Sequence, residues 1–181
     1  MALISSVLAN ELISEIKSRY SGPQESWSTA PFFYMDVIKR VLERDAVITY
    51  SYTGVTAAGV PEAAVLQGKL SLPLCTETSA PNTKALVTTL SEANPTAFVS
   101  AIVNDCIGVV QIETVGYAGT PVPTIYQVTG ATIDISKSKD MESCWNTIAS
   151  AIIERIKTLT TLPIVTTSPT GAGTSIFSSI L

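Results

Sequence analysis

Residues 138–159 read SKDMESCWNTIASAIIERIKTL, and this stretch has the clearest structural pattern in the chain. Its main apolar residues recur at steps of four, three, four and four, which is the spacing of one face of an α-helix. Polar and charged residues fall mostly outside that face. The pattern predicts an amphipathic helix on which the rest of the fold packs, with an apolar stripe of Met141, Trp145, Ile148, Ile152 and Ile156, widened by Cys144, Ala149, Ala151 and Leu159.

The same criteria predict four more helices along the chain. Apolar residues at steps of four indicate a helix over residues 4–20, and Pro31 is placed to begin a second one, where its missing N–H is harmless. A short helix is expected from Asn82 or Thr83 to Leu90, with one of the two as its cap. Another is expected to begin with Asn94 as cap and Pro95 as first residue, and to end at Gly108.

Between the helices, the hydrophobic pattern changes to the two-residue period of β-strands. Residues 46–52 and 65–74 are predicted to be strands that pair antiparallel across a loop at residues 54–61. Residues 124–135 are a further predicted strand with a bulge at Gly130, and residues 163–165 an edge strand. The sequence therefore predicts an α+β fold, an antiparallel sheet packed by amphipathic helices, with an N-terminal helix and an extended C-terminal tail.

The tail differs in composition from the rest of the chain, because no side chain after Lys157 is charged. We expect a single domain over residues 1–165, followed by a Gly/Ser/Thr-rich linker and an apolar arm over 166–181. The arm either folds back over its own core or inserts into an adjoining subunit, and the sequence favours neither. In the second case the interface residues would be Ile176, Phe177, Ile180 and Leu181.

Composition limits the classes of function. Only 14% of the 181 residues are charged, against about 25% in an average soluble domain, which indicates that the chain exposes much Ser and Thr and also buries surface against partners. A net charge of −4 and a pI of about 4.8 do not suit a protein that binds nucleic acid through its phosphates. No apolar run approaches the roughly 20 residues that span a bilayer, and the N-terminus lacks the basic region of a secretion signal. We therefore expect synthesis in the cytoplasm and no membrane contact.

The sequence offers little catalytic chemistry. It contains no histidine, which excludes histidine-based triads and zinc sites with histidine ligands. The three cysteines show no CxxC spacing, so reduced and mostly buried thiols are expected rather than a disulfide framework or a nucleophile. The acids Asp36, Glu43 and Asp45, like Asp140 and Glu142, are interpreted as solvated. Without Walker, Rossmann or EF-hand spacings either, we predict no enzyme, no cofactor and no metal site.

Four tyrosines suggest an alternative in which the protein is an adhesion or ligand-binding module. Aromatic side chains on a sheet face can stack on a sugar or a base. No basic residues accompany them, so a position on a sheet face or at an interface is the preferred interpretation. The residues concerned are Tyr50, Tyr52, Tyr117 and Tyr126.

The order of segments resembles that of small virion proteins of tailed bacteriophages, chiefly contractile-tailed ones. The resemblance lies in the N-terminal helix at 2–13, the VITYSYTG segment at 47–54, GKLS at 68–71, the long helix, and the Gly/Thr/Ser ending at 168–174. It implies a structural component of a neck, tail or head-completion ring that is made in the host cytoplasm and resides in the virion. Its partners would be further copies of the chain and neighbouring virion proteins, with no catalytic residues and no specific nucleic-acid binding.

Overall fold

A computed structural model describes residues 5–19, 30–55, 59–89, 95–115, 121–161, 163–164 and 173–180. These residues form an α+β fold with five α-helices and six strands in one antiparallel sheet, which confirms the predicted fold class. The helices are α1 (Ser5–Arg19), α2 (Ala30–Asp45), α3 (Pro81–Thr89), α4 (Pro95–Ile107) and α5 (Met141–Lys157). The strands are β1 (Val47–Val55), β2 (Pro61–Ser71), β3 (Val109–Val115), β4 (Pro121–Gln127), β5 (Pro163–Ile164) and β6 (Gly173–Ile180).

Helix α5 begins at a capping box that the sequence encodes locally. The Asp140 carboxylate accepts a hydrogen bond of 2.7 Å from the backbone N–H of Ser143, and the Ser143 hydroxyl oxygen accepts one of 3.1 Å from the N–H of Asp140. Trp145, Ile148, Ile152 and Ile156 are all buried, as the stripe predicts. Met141 is the exception, with 48% of its surface exposed, because it is the first residue of the helix and extends past the end of the core.

Helices α1 and α2 pack with α5 to form the helical layer, and both were predicted. Their apolar faces are buried through Leu8, Leu12 and Ile16 on α1 and through Ile38 and Leu42 on α2. Ion pairs join the two helices at both ends, between Arg19 and Asp36 at 2.6 Å and between Arg44 and Glu11 at 2.9 Å. These pairs lie near the surface, so the apolar contacts account for most of the packing energy.

The strand order is β4-β3-β2-β1-β6-β5, with every pair antiparallel. The predicted pairing of the two central strands is confirmed, and β5 lies at a sheet edge as expected. The predicted loop at 54–61 is too long, since β1 extends to Val55 and β2 begins at Pro61. The two strands therefore form a hairpin with nine paired positions, from Val47 opposite Lys69 to Val55 opposite Pro61.

The predicted strand over 124–135 ends at Gln127, and the following residues instead cross helix α4. Side chains of α4 hold them: Ser100 Oγ accepts from the N–H of Ile133 at 2.8 Å, and the Asn104 amide pairs with the backbone of Ala131 at 3.0 and 3.1 Å. These bonds replace the sheet partner that the segment lacks. Gly130 consequently lies in this crossing and not in a strand bulge.

The start of α3 is held by a residue of another helix. Pro81 is its first residue, so Asn82 and Thr83 are inside the first turn and neither is the cap. The buried carboxylate of Asp105 accepts hydrogen bonds from the Thr83 N–H at 2.7 Å and from the Asn82 side-chain amide at 2.8 Å. It also accepts one from the Asn82 N–H at 3.4 Å. A carboxylate from α4 thus satisfies the first amides of α3.

We expect Asp105→Ala to lower the melting temperature by roughly 5–15 °C, because it leaves amides at the start of α3 without their charged acceptor. Asp105→Asn keeps one acceptor oxygen and should show a smaller decrease. Asp134→Asn is the matched control, since Asp134 is exposed and its carboxylate accepts from its near neighbour Ser136. Thermal unfolding followed by circular dichroism measures all three, and equal melting temperatures for Asp105→Ala and the control would contradict the role assigned to Asp105.

The C-terminal segment that was predicted to be an arm contains strand β6. Its backbone pairs with β1 of the same chain, from Ile48 opposite Ile180 to Gly54 opposite Gly173, with a register shift between Thr49 and Tyr50. Strand β5 pairs on its other side. Of the two alternatives left open by the sequence, the structure therefore has the backbone of 173–180 paired within its own chain. The linker over residues 165–172 lies outside the described residues.

Candidate subunit interface

The sheet has one face against the helices and one face toward solvent. Strand residues on the helical side are buried, among them Ile48, Tyr50, Leu70 and Ile112. The alternate residues of the same strands lie on the other side, because successive side chains of a strand point to opposite faces. We call this second side the open face, and its described members are Val47, Thr49, Ser51, Thr53, Pro61, Ala63, Val65, Gln67, Lys69, Ser71, Val109, Gln111, Glu113, Pro123, Ile125 and Gln127.

Strand register brings these residues together on one surface. Ser51 lies opposite Val65 in the hairpin, Lys69 lies opposite Glu113, and Gln111 lies opposite Ile125. Cross-strand partners of this kind share a face of the sheet. The open face is therefore continuous across β1, β2, β3 and β4.

The open face is poor in charge and carries large exposed apolar side chains. Its only charged members are Lys69 and Glu113, which have opposite signs and are register partners. Val65 exposes 71% of its surface and Ile125 exposes 64%. A solvent-facing sheet surface normally carries polar residues, so these two side chains mark the face as a candidate for contact with another protein.

Proline makes the sheet edges unsuited to pairing with a further strand. Pro121 and Pro123 lie at alternate positions of the edge strand β4, and neither has an N–H to donate. A proline in an edge strand has its nitrogen on the side away from the neighbouring strand, so both residues remove donors from the free edge. The opposite edge, β5, contains two residues, one of which is Pro163. The faces of the sheet, and not its edges, are left as the contact surfaces.

Three of the predicted interface residues have their backbone in the sheet, and their side chains lie outside the described residues. Ile176, Phe177 and Ile180 lie on β6, as register partners of Ser51, Tyr50 and Ile48 respectively. Leu181 lies outside the described residues. Their contact with a neighbouring subunit stays a prediction.

The alternative hypothesis needs four tyrosines exposed on a sheet face, and for two of them this prediction is wrong. Tyr50 and Tyr126 are buried on the helical side of the sheet, at 0% and 7% exposure. Hydrophobic packing of the sheet on the helices determines their orientation, and neither ring is available for stacking on a ligand. The Tyr52 side chain and the whole of Tyr117 lie outside the described residues.

Sequence reasoning missed Val65 and Ile125 as surface residues, and the chain contains a signal only for Ile125. Val65 lies in an apolar run, and only the register with Ser51 places it on the open face. Ile125 and Val128 are three residues apart and so have opposite parity in a strand. Val128 is buried, and the two cannot both face the core.

Two of the acids that were interpreted as solvated have structural partners. Asp36 accepts from Arg19 and Arg40. Glu43, predicted to be solvated, is half-buried, and its Oε1 accepts a hydrogen bond of 2.8 Å from the N–H of Leu72, the residue after β2. That correction arises because α2 packs directly against β2. Among the residues that the structure describes, no group of three or more His, Cys, Asp or Glu side chains is placed to hold a metal ion.

A cavity of about 220 Å³ lies among α2, α4 and α5, on the side of the fold away from the open face. Its wall is largely aromatic and aliphatic, and the rings of Tyr34 and Trp145 meet there with their centres 5.8 Å apart. Phe98 packs edge-on against Tyr34 at 6.3 Å. Cys144 also lines the cavity, and burial raises the pKa of its thiol. Among the residues that the structure describes, the cavity wall includes no charged side chain with which to bind a polar substrate.

Comparison with known proteins found no matching family model, no curated protein and no solved structure that resembles this chain. Within the described part of the chain, none of the helices combines the length and the apolar character needed to cross a membrane. The open face is thus the feature from which a function has to be argued.

Proposed function

We propose that this chain is a structural assembly protein of a bacteriophage particle, a component of a neck, tail or head-completion ring, and that it acts by packing against further copies of itself. The observation that carries the proposal is the open face, where Val65 and Ile125 are exposed on a surface with one positive and one negative side chain. Packing such a surface against a second copy removes apolar area from water without burying an unbalanced charge.

The size of the sheet suits a stable contact. The four strands β1 to β4 that form the open face are spaced about 4.8 Å apart, which gives a width of roughly 20 Å, and the nine residues of β1 give a length of roughly 30 Å. The face is therefore on the order of 600 Å², which approaches the roughly 800 Å² that each partner buries in a standard specific interface. We favour a second copy of the same chain as the partner that covers the open face. The whole chain is low in charge, so other surfaces of that copy can also pack against the open face.

The assignment to a phage particle is supported by the resemblance of the segment order to small virion proteins. A chain of this kind is made in the host cytoplasm and functions in the virion, in contact with neighbouring virion proteins. The open face and the proline-blocked edges agree with such a role, since they direct association to faces and do not favour uncontrolled edge-to-edge pairing.

The alternative is a monomeric adhesion or ligand-binding module. The apolar cavity among α2, α4 and α5 is the observation that favours it. The two proposals differ in solution mass, because ligand binding in that cavity needs no second copy.

We expect Val65→Glu to dissociate the assembly, since it places a charge at the most exposed apolar position of the open face. The wild-type chain should have a solution mass that is a multiple of 19.1 kDa, and the variant should shift toward 19.1 kDa. Light scattering coupled to size-exclusion chromatography gives both masses. The matched control is Met141→Glu, an exposed apolar residue at the start of α5, which should leave the mass unchanged.

A wild-type chain that remains a 19.1 kDa monomer at every concentration would contradict the proposed function. Equal masses for wild type and Val65→Glu in an assembled protein would show that assembly uses another surface. A circular dichroism spectrum unchanged from wild type is required of each variant, so that loss of assembly is not confused with loss of folding.

A further inference from the structure

Two of the three cysteines meet in the core, although they are far apart in sequence. Cys75 lies in the turn after β2, and Cys106 is the penultimate residue of α4. Their Sγ atoms are 2.8 Å apart, and both are buried, at 3% and 0% exposure. The Met35 carbonyl oxygen of α2 accepts from both thiols, at 3.3 and 3.8 Å.

The arrangement brings the two sulfurs close to bonding distance. A disulfide has an S–S length of about 2.05 Å, so the sulfurs need to approach by less than 1 Å, which a small side-chain rotation can supply. The two thiols come from different elements, the segment after β2 and the end of α4, and the fold holds their sulfur atoms in contact. The third cysteine, Cys144, lines the separate apolar cavity.

We propose that Cys75 and Cys106 are an oxidation site, at which a peroxide converts the two thiols into an intrachain disulfide. In the first step, one thiolate attacks a peroxide oxygen, breaks the O–O bond and keeps that oxygen as a sulfenic acid. The other oxygen leaves as hydroxide, which takes up the proton that the thiol released and becomes water. In the second step, the other sulfur attacks the sulfenic sulfur and releases the hydroxyl as a second water. The two sulfurs are oxidised by two electrons in total, and the peroxide is reduced by two.

Burial determines how fast this happens. Desolvation, together with the neighbouring Cys75 thiol, raises the pKa of Cys106, so its thiolate is rare in the closed core. Oxidation therefore proceeds through local opening around the turn at Cys75, and the closed state is protected.

Once formed, the disulfide closes a loop that contains all of α3 and most of α4. It restricts the unfolded chain and should raise the melting temperature by roughly 5–15 °C. The inference is independent of the proposed function.

The test is to treat the folded full-length protein with hydrogen peroxide, unfold it without reductant, and count free thiols with N-ethylmaleimide by intact mass. Reduced protein should take up three adducts, one for each free cysteine. Oxidised protein should take up one adduct, at Cys144. Before alkylation, its mass should be lower than that of the reduced protein by two hydrogen atoms. Peptide mapping should find Cys75 joined to Cys106, and dithiothreitol should restore all three adducts.

Cys144→Ser should leave the oxidation unchanged, whereas Cys75→Ala should abolish it and leave Cys106 as a thiol. Three adducts after treatment of the wild-type protein would overturn the proposal, as would a bond that involves Cys144 or joins two chains. Because the thiol count is made on the wild-type protein, the proposal stays testable even where Cys75→Ala fails to fold.

Discussion

Deletion of residues 173–181 is expected to unfold the domain or to lower its melting temperature by more than 15 °C. Strand β6 lies inside the sheet, between β1 and β5, and it pairs with β1 at seven positions. Removing it leaves roughly seven backbone hydrogen bonds unmade, at about 0.5–1.5 kcal/mol each. A loss of about 4–10 kcal/mol is comparable with the whole stability of an ordinary domain.

Circular dichroism at increasing temperature measures this effect, and removal of Leu181 alone provides the control. A synthetic peptide of residues 173–181 should restore part of the lost stability when added to the truncated chain. A truncated chain that stays folded but no longer assembles would contradict pairing within the chain. It would indicate instead that these residues contribute their apolar side chains to a neighbouring copy.

Replacement of Ile152 by aspartate is expected to prevent folding altogether. Ile152 is at 0% exposure in the middle of α5, the helix that packs against α1 and α4. A carboxylate at this position would be buried without a partner, and the lost apolar contacts add to the cost, so the total is several kcal/mol. We expect a far-ultraviolet spectrum of an unfolded chain and an insoluble product on expression.

Two substitutions serve as matched controls for Ile152→Asp. Glu154→Asp places the same side chain at an exposed position two residues further along and should leave the melting temperature within about 2 °C of wild type. Ile152→Val removes one methylene from the core and should destabilise by about 0.5–1.5 kcal/mol. Cooperative melting of Ile152→Asp at the wild-type temperature would show that α5 is not the centre of the core.

The sequence was sufficient for those parts of the fold that local pattern determines. Helices α1, α2 and α5 were predicted because their apolar residues follow a helical period over four turns, and the β1–β2 hairpin because both strands alternate. Strand ends were less accurate, since β4 ends where Ser100 and Asn104 of a distant helix take over the backbone hydrogen bonds. No sequence feature near residue 128 indicates that Ser100 and Asn104 will be the hydrogen-bond partners of this segment.

The features that depend on long-range register were beyond the sequence. The position of Val65 on the open face follows from the register of β2 on β1. A loop one residue longer or shorter would change that register by one residue and would turn the alternate side chains to the other face. The meeting of Cys75 with Cys106, and of Asp105 with the start of α3, requires the packed arrangement of α3 and α4. An apolar C-terminal strand suits its own sheet and a neighbouring copy equally well, so composition alone left that choice open.

Photo-cross-linking from position 65 tests the central claim most directly. With p-benzoylphenylalanine in place of Val65, irradiation of the purified full-length protein should join two chains, giving a product of twice the 19.1 kDa of one chain. The same probe in place of Met141 should yield little of that product. If position 65 gives no chain-to-chain product, or no more than position 141 gives, the open face does not contact a second copy and the account is contradicted.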